Sequence, residues 1–386
     1  MMLMKYFKIY DDELCPCGSG KTYLECCKNR KDRPVKKSKK PLNIQIMEQF
    51  RKNQIKCCLY PDSTRCVKHI KEAHALQNNK IISQLSEDGH VYILNPNKPP
   101  QVIPIENEEP EVLTMIDRVG VNHATTATCF CDIHDDEVFA PIEKGAPAFD
   151  KDSDEHKYIY AYKAFIFEYY KKLVEQKVLR ENITNTPSLL KTPQYIQYYR
   201  AISMTLEEMN EVKSFFDKGI VSKDYTGLET CVIEIPESIK FATYACIAVD
   251  FDLKGKKIRH TKRGFINRIF ITIFPEETKS YIILSCLSED IKIYKKFFQQ
   301  LQTTNLDKVK YYFDLILPLY TENNVLSPRL WEKWGEEQQI GYTFFANRKG
   351  KQFLLYKQIL KFGMYNLRKK ESGFGTGNRG KLDLFE

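Results

Sequence analysis

Four cysteine thiols lie close together near the start of the chain, at a spacing that suits a metal ion. They form two pairs separated by eight residues: Cys15 and Cys17, then Cys26 and Cys27. Zinc in structural sites takes four ligands at the corners of a tetrahedron, and thiolates are among its preferred donors. Two close pairs on either side of a short turn can supply these ligands without a hydrophobic core. Gly18 and Gly20 allow that turn to be tight. The spacing therefore predicts a zinc site.

The same stretch resembles the SEC-C motif, the small zinc finger that ends the SecA translocase motor and recurs at the termini of many otherwise unrelated bacterial proteins. The four cysteines fall on the ligand positions of that family, and Gly18, Ser19, Gly20 and Lys21 match its turn. The resemblance implies zinc as a cofactor and a finger that docks a protein partner such as a chaperone or the ribosome. It covers only about a dozen of the 386 residues, so it says little about activity.

A second group of metal-binding residue types lies between positions 57 and 134. Five of the twelve cysteines and five of the seven histidines fall there. The ligand set that we predict for a second zinc ion is Cys58, Cys66, Cys131 and His134. The last two precede an acidic and apolar run, which suits a helix N-terminus, where amide dipoles favour thiolates. Cys57 or Cys129 could replace a neighbouring cysteine, and His69 could replace His134.

A knuckle, a hairpin and a helix in this order resemble the treble-clef zinc domain. With Glu72-Ala73-His74-Ala75-Leu76 on the first hairpin strand, the segment also resembles the HNH nucleases that use this scaffold. The resemblance implies that His74 activates water or binds a catalytic magnesium or manganese ion. Asp135 stands where that family has its terminal metal-binding histidine, and Asn95 and Asn97 are the candidates for its middle position. A purely structural zinc site is the alternative.

The net charge of +9 is concentrated in two basic segments. Positions 28–40 hold eight Lys and Arg residues against one Asp, and positions 254–263 hold seven basic residues in ten. Basic segments of this kind can contact a phosphate backbone, although a solvated linker or loop is the alternative for each. The candidate nucleic-acid-binding residues are Lys36, Lys37, Lys39, Lys40, Lys256, Lys257, Arg259, Lys262 and Arg263.

The chain length and a hydrophobic content of 42% predict an α+β multidomain protein. We place the finger and its basic linker at 1–42, the treble-clef-like domain at 43–150 and a C-terminal α+β domain at 151–386. In the last of these, an aromatic stripe from Tyr158 to Leu173 predicts a helix, and a capping box at Thr205 and Glu208 predicts the start of another. Residues 230–235, 241–251, 268–274 and 279–287 predict a largely antiparallel sheet, with helices after it.

Three functions fit these observations. Apolar runs are short and the N-terminus lacks a signal-peptide core, so we expect a cytoplasmic protein that does not span a membrane. The first hypothesis is a zinc-binding protein that holds nucleic acid through its basic segments and treble-clef-like core. The second is an HNH-like, metal-dependent nuclease of the defence or mobile-element type. The third is a non-enzymatic adaptor that docks a partner through the SEC-C finger.

Overall fold

The computed structural model describes residues 7–34, 38–104, 111–145, 149–260, 266–347 and 383–385. These residues form helices and largely antiparallel sheets, so the predicted α+β class is confirmed. Within the described ranges, no helix is both long enough and apolar enough to cross a membrane.

The N-terminal half is built from a finger, a short helix and a pair of strands that are far apart in sequence. The finger is a series of turns with one bridge between Leu14 and Thr22. Helix α1 follows at Leu42–Lys52. Strand β1 (Ile70–His74) pairs antiparallel with β6 (Thr126–Cys131), and helix α3 (Asp132–Glu143) begins directly after β6.

Between β1 and β6 the chain makes an insertion of short elements. These are helix α2 (Ser83–Leu85) and strands β2 (His90–Leu94), β3 (Gln101–Ile103), β4 (Glu111–Leu113) and β5 (Ile116–Gly120). Strands β3 and β4 pair with each other, whereas β2 and β5 join a larger sheet. The predicted hairpin is therefore a strand pair with a folded insertion between its two strands.

Two long helices cross the middle of the molecule. Helix α4 (Asp154–Asn185) begins at Ser153, whose hydroxyl accepts from the amide of His156, and its aromatic stripe is buried as predicted. Helix α5 (Pro193–Ser222) starts with proline in its first turn. The prediction of a helix start at Thr205 is wrong, because the helix begins twelve residues earlier and Glu208 instead binds Arg268 at 3.2 Å.

The C-terminal half contains the central sheet and the helices that cover it. Its strands are β7 (Leu228–Ile235), β8 (Phe241–Ile247), β9 (Ile269–Pro275), β10 (Ser280–Leu287) and β11 (Val325–Leu326). Its helices are α6 (Ile291–Thr303), α7 (Leu306–Tyr320), α8 (Pro328–Lys333) and α9 (Glu336–Asn347). Among the described residues, the central sheet has seven strands, two of them (β2 and β5) from the middle segment, in the order β5-β2-β11-β8-β9-β10-β7 with antiparallel neighbours.

Strands β8, β9 and β10 of the central sheet are buried on both faces. Along β8, Tyr244 and Cys246 pack into the cluster that includes α4 and α5, whereas Ala245 and Ile247 pack into the cluster that includes α6 and α7. This explains why β8, β9 and β10 are almost continuously apolar rather than alternating. The two-residue strand β11 connects this sheet to β2, so strands of the middle segment and of the C-terminal segment share one sheet.

Candidate metal centres

The first four cysteines converge on one point. The ligand atoms of Cys15, Cys17, Cys26 and Cys27 lie within 4.8 Å of one another. The sulfur of Cys26 is 3.5 Å from that of Cys17 and 3.8 Å from that of Cys27. Tetrahedral zinc with Zn–S bonds of about 2.3 Å would place sulfurs ~3.8 Å apart. The geometry and the donor set therefore fit one zinc ion.

The thiols of this cluster resist ionisation unequally. Burial raises the pKa of Cys15 to about 11. Burial also opposes ionisation of Cys17, but hydrogen bonds from Ser19, Cys15 and Cys26 outweigh it and lower the pKa of Cys17 to about 7. Metal ligation requires thiolates, and burial disfavours their negative charge. A bound cation would stabilise the thiolates by supplying the opposite charge.

The finger is packed on the far end of the long helices rather than standing free. Cys15 and Cys27 share a buried cluster with Ile183, Leu190 and Ile196. The first of these apolar residues belongs to α4 and the last to α5, so the finger covers the connection between the two helices.

Polar contacts hold the finger at the C-terminus of α4. Arg30 donates to the carbonyl of Thr184 at 2.7 Å, and the amide of Arg33 donates to the carbonyl of Asn185 at 2.9 Å. Carbonyls in the last turn of a helix have no partner within it, and cations are favourable there. The basic residues that follow Cys27 thus cap a helix, which the sequence did not predict.

The second predicted ligand set also converges. The ligand atoms of Cys58, Cys66, Cys131 and His134 lie within 4.8 Å of one another. The Nδ1 atom of His134 is 3.4, 3.5 and 3.3 Å from the three sulfurs in that order. Zn–S and Zn–N bonds of about 2.3 and 2.0 Å imply S···N separations of ~3.5 Å, so zinc fits here as well. Neither Cys57, Cys129 nor His69 belongs to this group.

Helix α3 helps to position these ligands. Cys131 is its N-cap residue, and His134 lies in its first turn. Burial opposes ionisation of Cys131, but backbone hydrogen bonds from His134 and Val67 and the thiols of Cys58 and Cys66 lower its pKa. Tyr60 stacks on the His134 ring at a centroid distance of 4.0 Å. Four protein ligands would complete a tetrahedral coordination here, as in structural rather than catalytic zinc sites.

His74 and Asp135 do not join this centre; His74 pairs with Thr126, at the opposite end of the β1–β6 pair from Cys131. The Nδ1 atom of His74 is 3.0 Å from the carbonyl oxygen of Ala124, which requires a proton on Nδ1. Burial lowers the pKa of His74. Asp135 is 2% exposed and binds the ammonium of Lys71 at 2.8 Å. In the described ranges, neither residue belongs to a group of three or more potential metal ligands.

The asparagines considered for the middle HNH position bind elsewhere. Asn95 donates to the carboxylate of Asp117 at 3.0 Å, and its side-chain oxygen accepts from the amide of Asn97 at the same distance. Both residues follow strand β2, in the insertion.

A cavity of about 760 Å³ opens beside β6. Its walls include Thr126 and Thr128 of β6, the apolar face of α1, and Glu168 and Lys171 of α4. The ammonium of Lys171 is 3.3 Å from Glu168 and 3.2 Å from Glu322, so charges of opposite sign are paired within the wall.

The predicted basic residues are divided between two places. Lys36, Lys37, Lys262 and Arg263 lie outside the described residues. Lys39 is exposed, and Lys40 forms an exposed ion pair with Glu48 at 2.6 Å. Lys256, Lys257 and Arg259 are exposed in the loop after β8, and within the described part of the chain none of them forms an ion pair.

Asp252, which the sequence did not single out, organises this loop. It is 4% exposed, and its Oδ1 atom accepts from the amides of Lys254 and Lys256 at 3.0 and 2.8 Å. Its Oδ2 atom accepts from Gln300 of α6 at 3.0 Å. The sequence does contain a signal for this turn: Asp252 is followed by Lys254 and Gly255, a pattern typical of turns that an aspartate side chain stabilises.

The comparisons with known proteins address only the first centre. No curated protein and no solved structure matches the chain. Residues 13–29, which contain all four ligands of the first centre, match the family model of the SEC-C motif.

Proposed function

We propose that this chain is a nucleic-acid-binding protein whose fold is stabilised by two structural zinc ions. The observation that carries the proposal is the loop at residues 252–260, which we call the basic loop. Lys254, Lys256, Lys257 and Arg259 are exposed there, while Asp252, Leu253 and Ile258 are buried and anchor the loop on the core.

A fixed loop whose cations form no ion pair within the described part of the chain suits a polyanion. The buried Asp252 carboxylate determines the backbone path, so the cations are presented without a large loss of backbone entropy on binding. Burial, and then the nearby charge of Lys254, lower the pKa of Lys308 at the start of α7. A further amine therefore lies close to the loop, and a phosphate would relieve the repulsion between the two cations.

The two metal centres support this proposal indirectly. Each has four protein donors and no open position, as expected of zinc that stabilises a fold. The predicted catalytic carboxylate Asp135 is engaged by Lys71. Binding therefore accounts for more of the observed geometry than metal-dependent cleavage does.

The test is fluorescence anisotropy with a labelled DNA duplex and a labelled RNA single strand over a range of salt concentrations. If Lys256 and Lys257 each neutralise one phosphate, replacing both by glutamine should reduce the duplex salt slope by about 1.8. A matched control replaces Lys144 and Lys157, which are paired with acidic residues, and removes the same charge. Equal losses in both variants, or no binding by the native chain, would contradict the proposal.

A metal-dependent phosphodiesterase is the second candidate, and His74 favours it. With Nδ1 donating to Ala124 and a lowered pKa, the neutral ring keeps a lone pair on Nε2, as a general base requires. Cleavage of DNA or RNA with magnesium or manganese should then be lost in His74→Ala and kept in His90→Ala, with the zinc content unchanged. Absence of cleavage by the native chain would exclude this candidate.

A further inference from the structure

Helix α1 borders a large cavity without burying its own apolar side. The cavity of about 760 Å³ lies between α1 and α4, and Ile46, Met47 and Phe50 of α1 line it. None of the eleven residues of α1 is buried. The apolar side of a surface helix normally packs against a core. Here it borders an open volume whose size falls in the range of small-molecule sites.

Polar contacts at its edge hold α1 in this position. The Gln49 side chain donates to the Asn182 side chain, and Lys52 forms an ion pair with Glu181 at 2.5 Å. Asn182 and Glu181 lie near the C-terminus of α4. The cavity is therefore bounded by a helix that is attached at its edge rather than through its apolar side.

The other walls combine apolar side chains with one group of polar ones. Phe167 and Val174 of α4, together with Ile93 and Leu94 of β2, supply apolar surface. The polar group, which we call the polar end, lies where β11 begins and consists of Glu168, Lys171, Glu322, Asn323 and Asn324. A ligand that fills the cavity needs an apolar body and a polar group that suits this end.

Lys171 has all of its donors engaged by the protein. Its ammonium contacts Glu168 at 3.3 Å, Glu322 at 3.2 Å and the side-chain oxygen of Asn323. An ammonium has three hydrogen-bond donors, and these three acceptors use them. An anionic ligand would have to displace one of these contacts before it could bind Lys171.

The hydrogen-bonding capacity that remains at the polar end is that of acceptors. Asn324 is 3% exposed, and within the described part of the chain its Oδ1 atom has no hydrogen-bond partner. A buried acceptor without a donor is unfavourable. Lys171 and Asn323 both contact the Oε1 atom of Glu168, so its Oε2 atom can accept from a ligand.

The charge of the polar end also favours a cationic donor. Its two carboxylates and one ammonium give a net charge of −1. The remaining charges along the walls balance in three pairs of opposite sign: Lys172 with Glu175 at 2.7 Å, Lys98 with Asp117 at 2.5 Å, and Lys56 with Glu72. The polar end therefore determines the sign of charge that the cavity prefers.

We infer that this cavity binds a small molecule that has an apolar body and one protonated amine. The ammonium donates to Glu168 and Asn324 at the polar end. The apolar body packs against Ile46, Met47 and Phe50, so that binding buries the side of α1 that is otherwise only half-buried.

The test compares three probes of equal chain length that differ in their polar group: decylamine, decanol and decanoate. Isothermal titration calorimetry of the full zinc-loaded chain at pH 7 measures their dissociation constants. Decylamine should bind about tenfold or more tightly than decanol, because hydrogen bonds from a charged donor are the stronger ones. Decanoate should bind more weakly than decanol. Equal affinities for the three probes, or no binding of decylamine, would overturn the inference.

Substitutions on the half-buried side of α1 locate the binding without disturbing the core. Phe50→Ala should weaken decylamine binding by about tenfold, since it removes apolar surface from the wall. The matched control is Leu42→Ala, which truncates a residue of α1 that is 52% exposed and lies outside the described walls. If both variants bind decylamine like the native chain, the amine binds elsewhere and the inference is wrong.

A second pair of variants tests the charge. Glu168→Gln should reduce the preference for decylamine over decanol to about threefold or less, because the donor then meets a neutral amide. Glu207→Gln removes the same charge from an exposed position on α5 and should keep the native preference. A preference that survives Glu168→Gln unchanged would contradict the assignment of the polar end.

Discussion

Loss of the first metal centre should loosen the end of the long helices, well outside the finger itself. The perturbation is Cys26→Ser, which removes one of the four thiols of that centre. We expect the zinc content to fall from two ions per chain to one, and the finger to detach from the connection between α4 and α5.

The magnitude follows from the residues that the finger covers. Ile183, Leu190 and Ile196 are 0%, 4% and 2% exposed. Full burial of each such side chain contributes about 1.5–3 kcal/mol. The two helices continue to cover part of each side chain, and a denatured chain already buries some of this surface, so we expect a loss of about 2–4 kcal/mol.

Hydrogen exchange of peptides from the end of α4 and the start of α5 measures this loss locally. A loss of 2–4 kcal/mol corresponds to about 30- to 700-fold faster exchange where opening is local. The matched control is Cys57→Ser, a half-buried cysteine that belongs to neither centre. If Cys26→Ser loses one zinc ion while exchange at the helix ends stays as in the native chain, the finger does not stabilise these helices.

Three further predictions concern Asp135, His74 and the basic loop. Lys71→Ala should lower the free energy of unfolding by about 1–3 kcal/mol, because buried Asp135 loses its partner. Urea denaturation measures this change. Adding Asp135→Asn to Lys71→Ala should restore part of the lost stability. The lowered pKa of His74 means that the unfolded chain binds more protons, so stability should fall as the pH drops below about 6.5. Urea midpoints at pH 7.5 and 5.5 should therefore differ less in His74→Gln than in the native chain. Asp252→Ala should lower the affinity for duplex DNA while leaving the number of lysines unchanged, because the loop backbone loses its acceptor. Fluorescence anisotropy at a fixed salt concentration measures this affinity. Unchanged affinity would show that binding does not depend on a fixed backbone conformation of the loop.

The features that the sequence predicted well are local ones. The first centre depends on thirteen consecutive residues, Cys15–Cys27, whose spacing alone brings the sulfurs together. Strands β9 and β10 were found within one residue of their ends, because β-branched and aromatic residues fill them between clear turns. A helix N-terminus at Cys131 and His134 was predicted from the acidic and apolar run that follows them, and α3 begins there.

The features that were missed depend on contacts between distant residues. Thr205 and Glu208 have the pattern of a capping box, but Ile202 and Leu206 are buried on both sides of the proposed start, and tertiary packing continues the helix. The pairing of Asp135 with Lys71 joins residues 64 positions apart. The link from β2 to the central sheet passes through β11, whose two residues carry no periodic signal.

The insertion between β1 and β6 imposes an order on metal acquisition during synthesis. All four donors of the first centre leave the ribosome within thirteen residues, whereas the donors of the second are spread over 77, from Cys58 to His134. Closing the longer loop costs more entropy and waits for β6 and α3 to be made. A ribosome-bound chain can therefore acquire its first zinc ion well before the second, and it then carries a loaded finger before the helices that the finger covers exist. When zinc is scarce during synthesis, we therefore expect the second centre to lack metal before the first centre does.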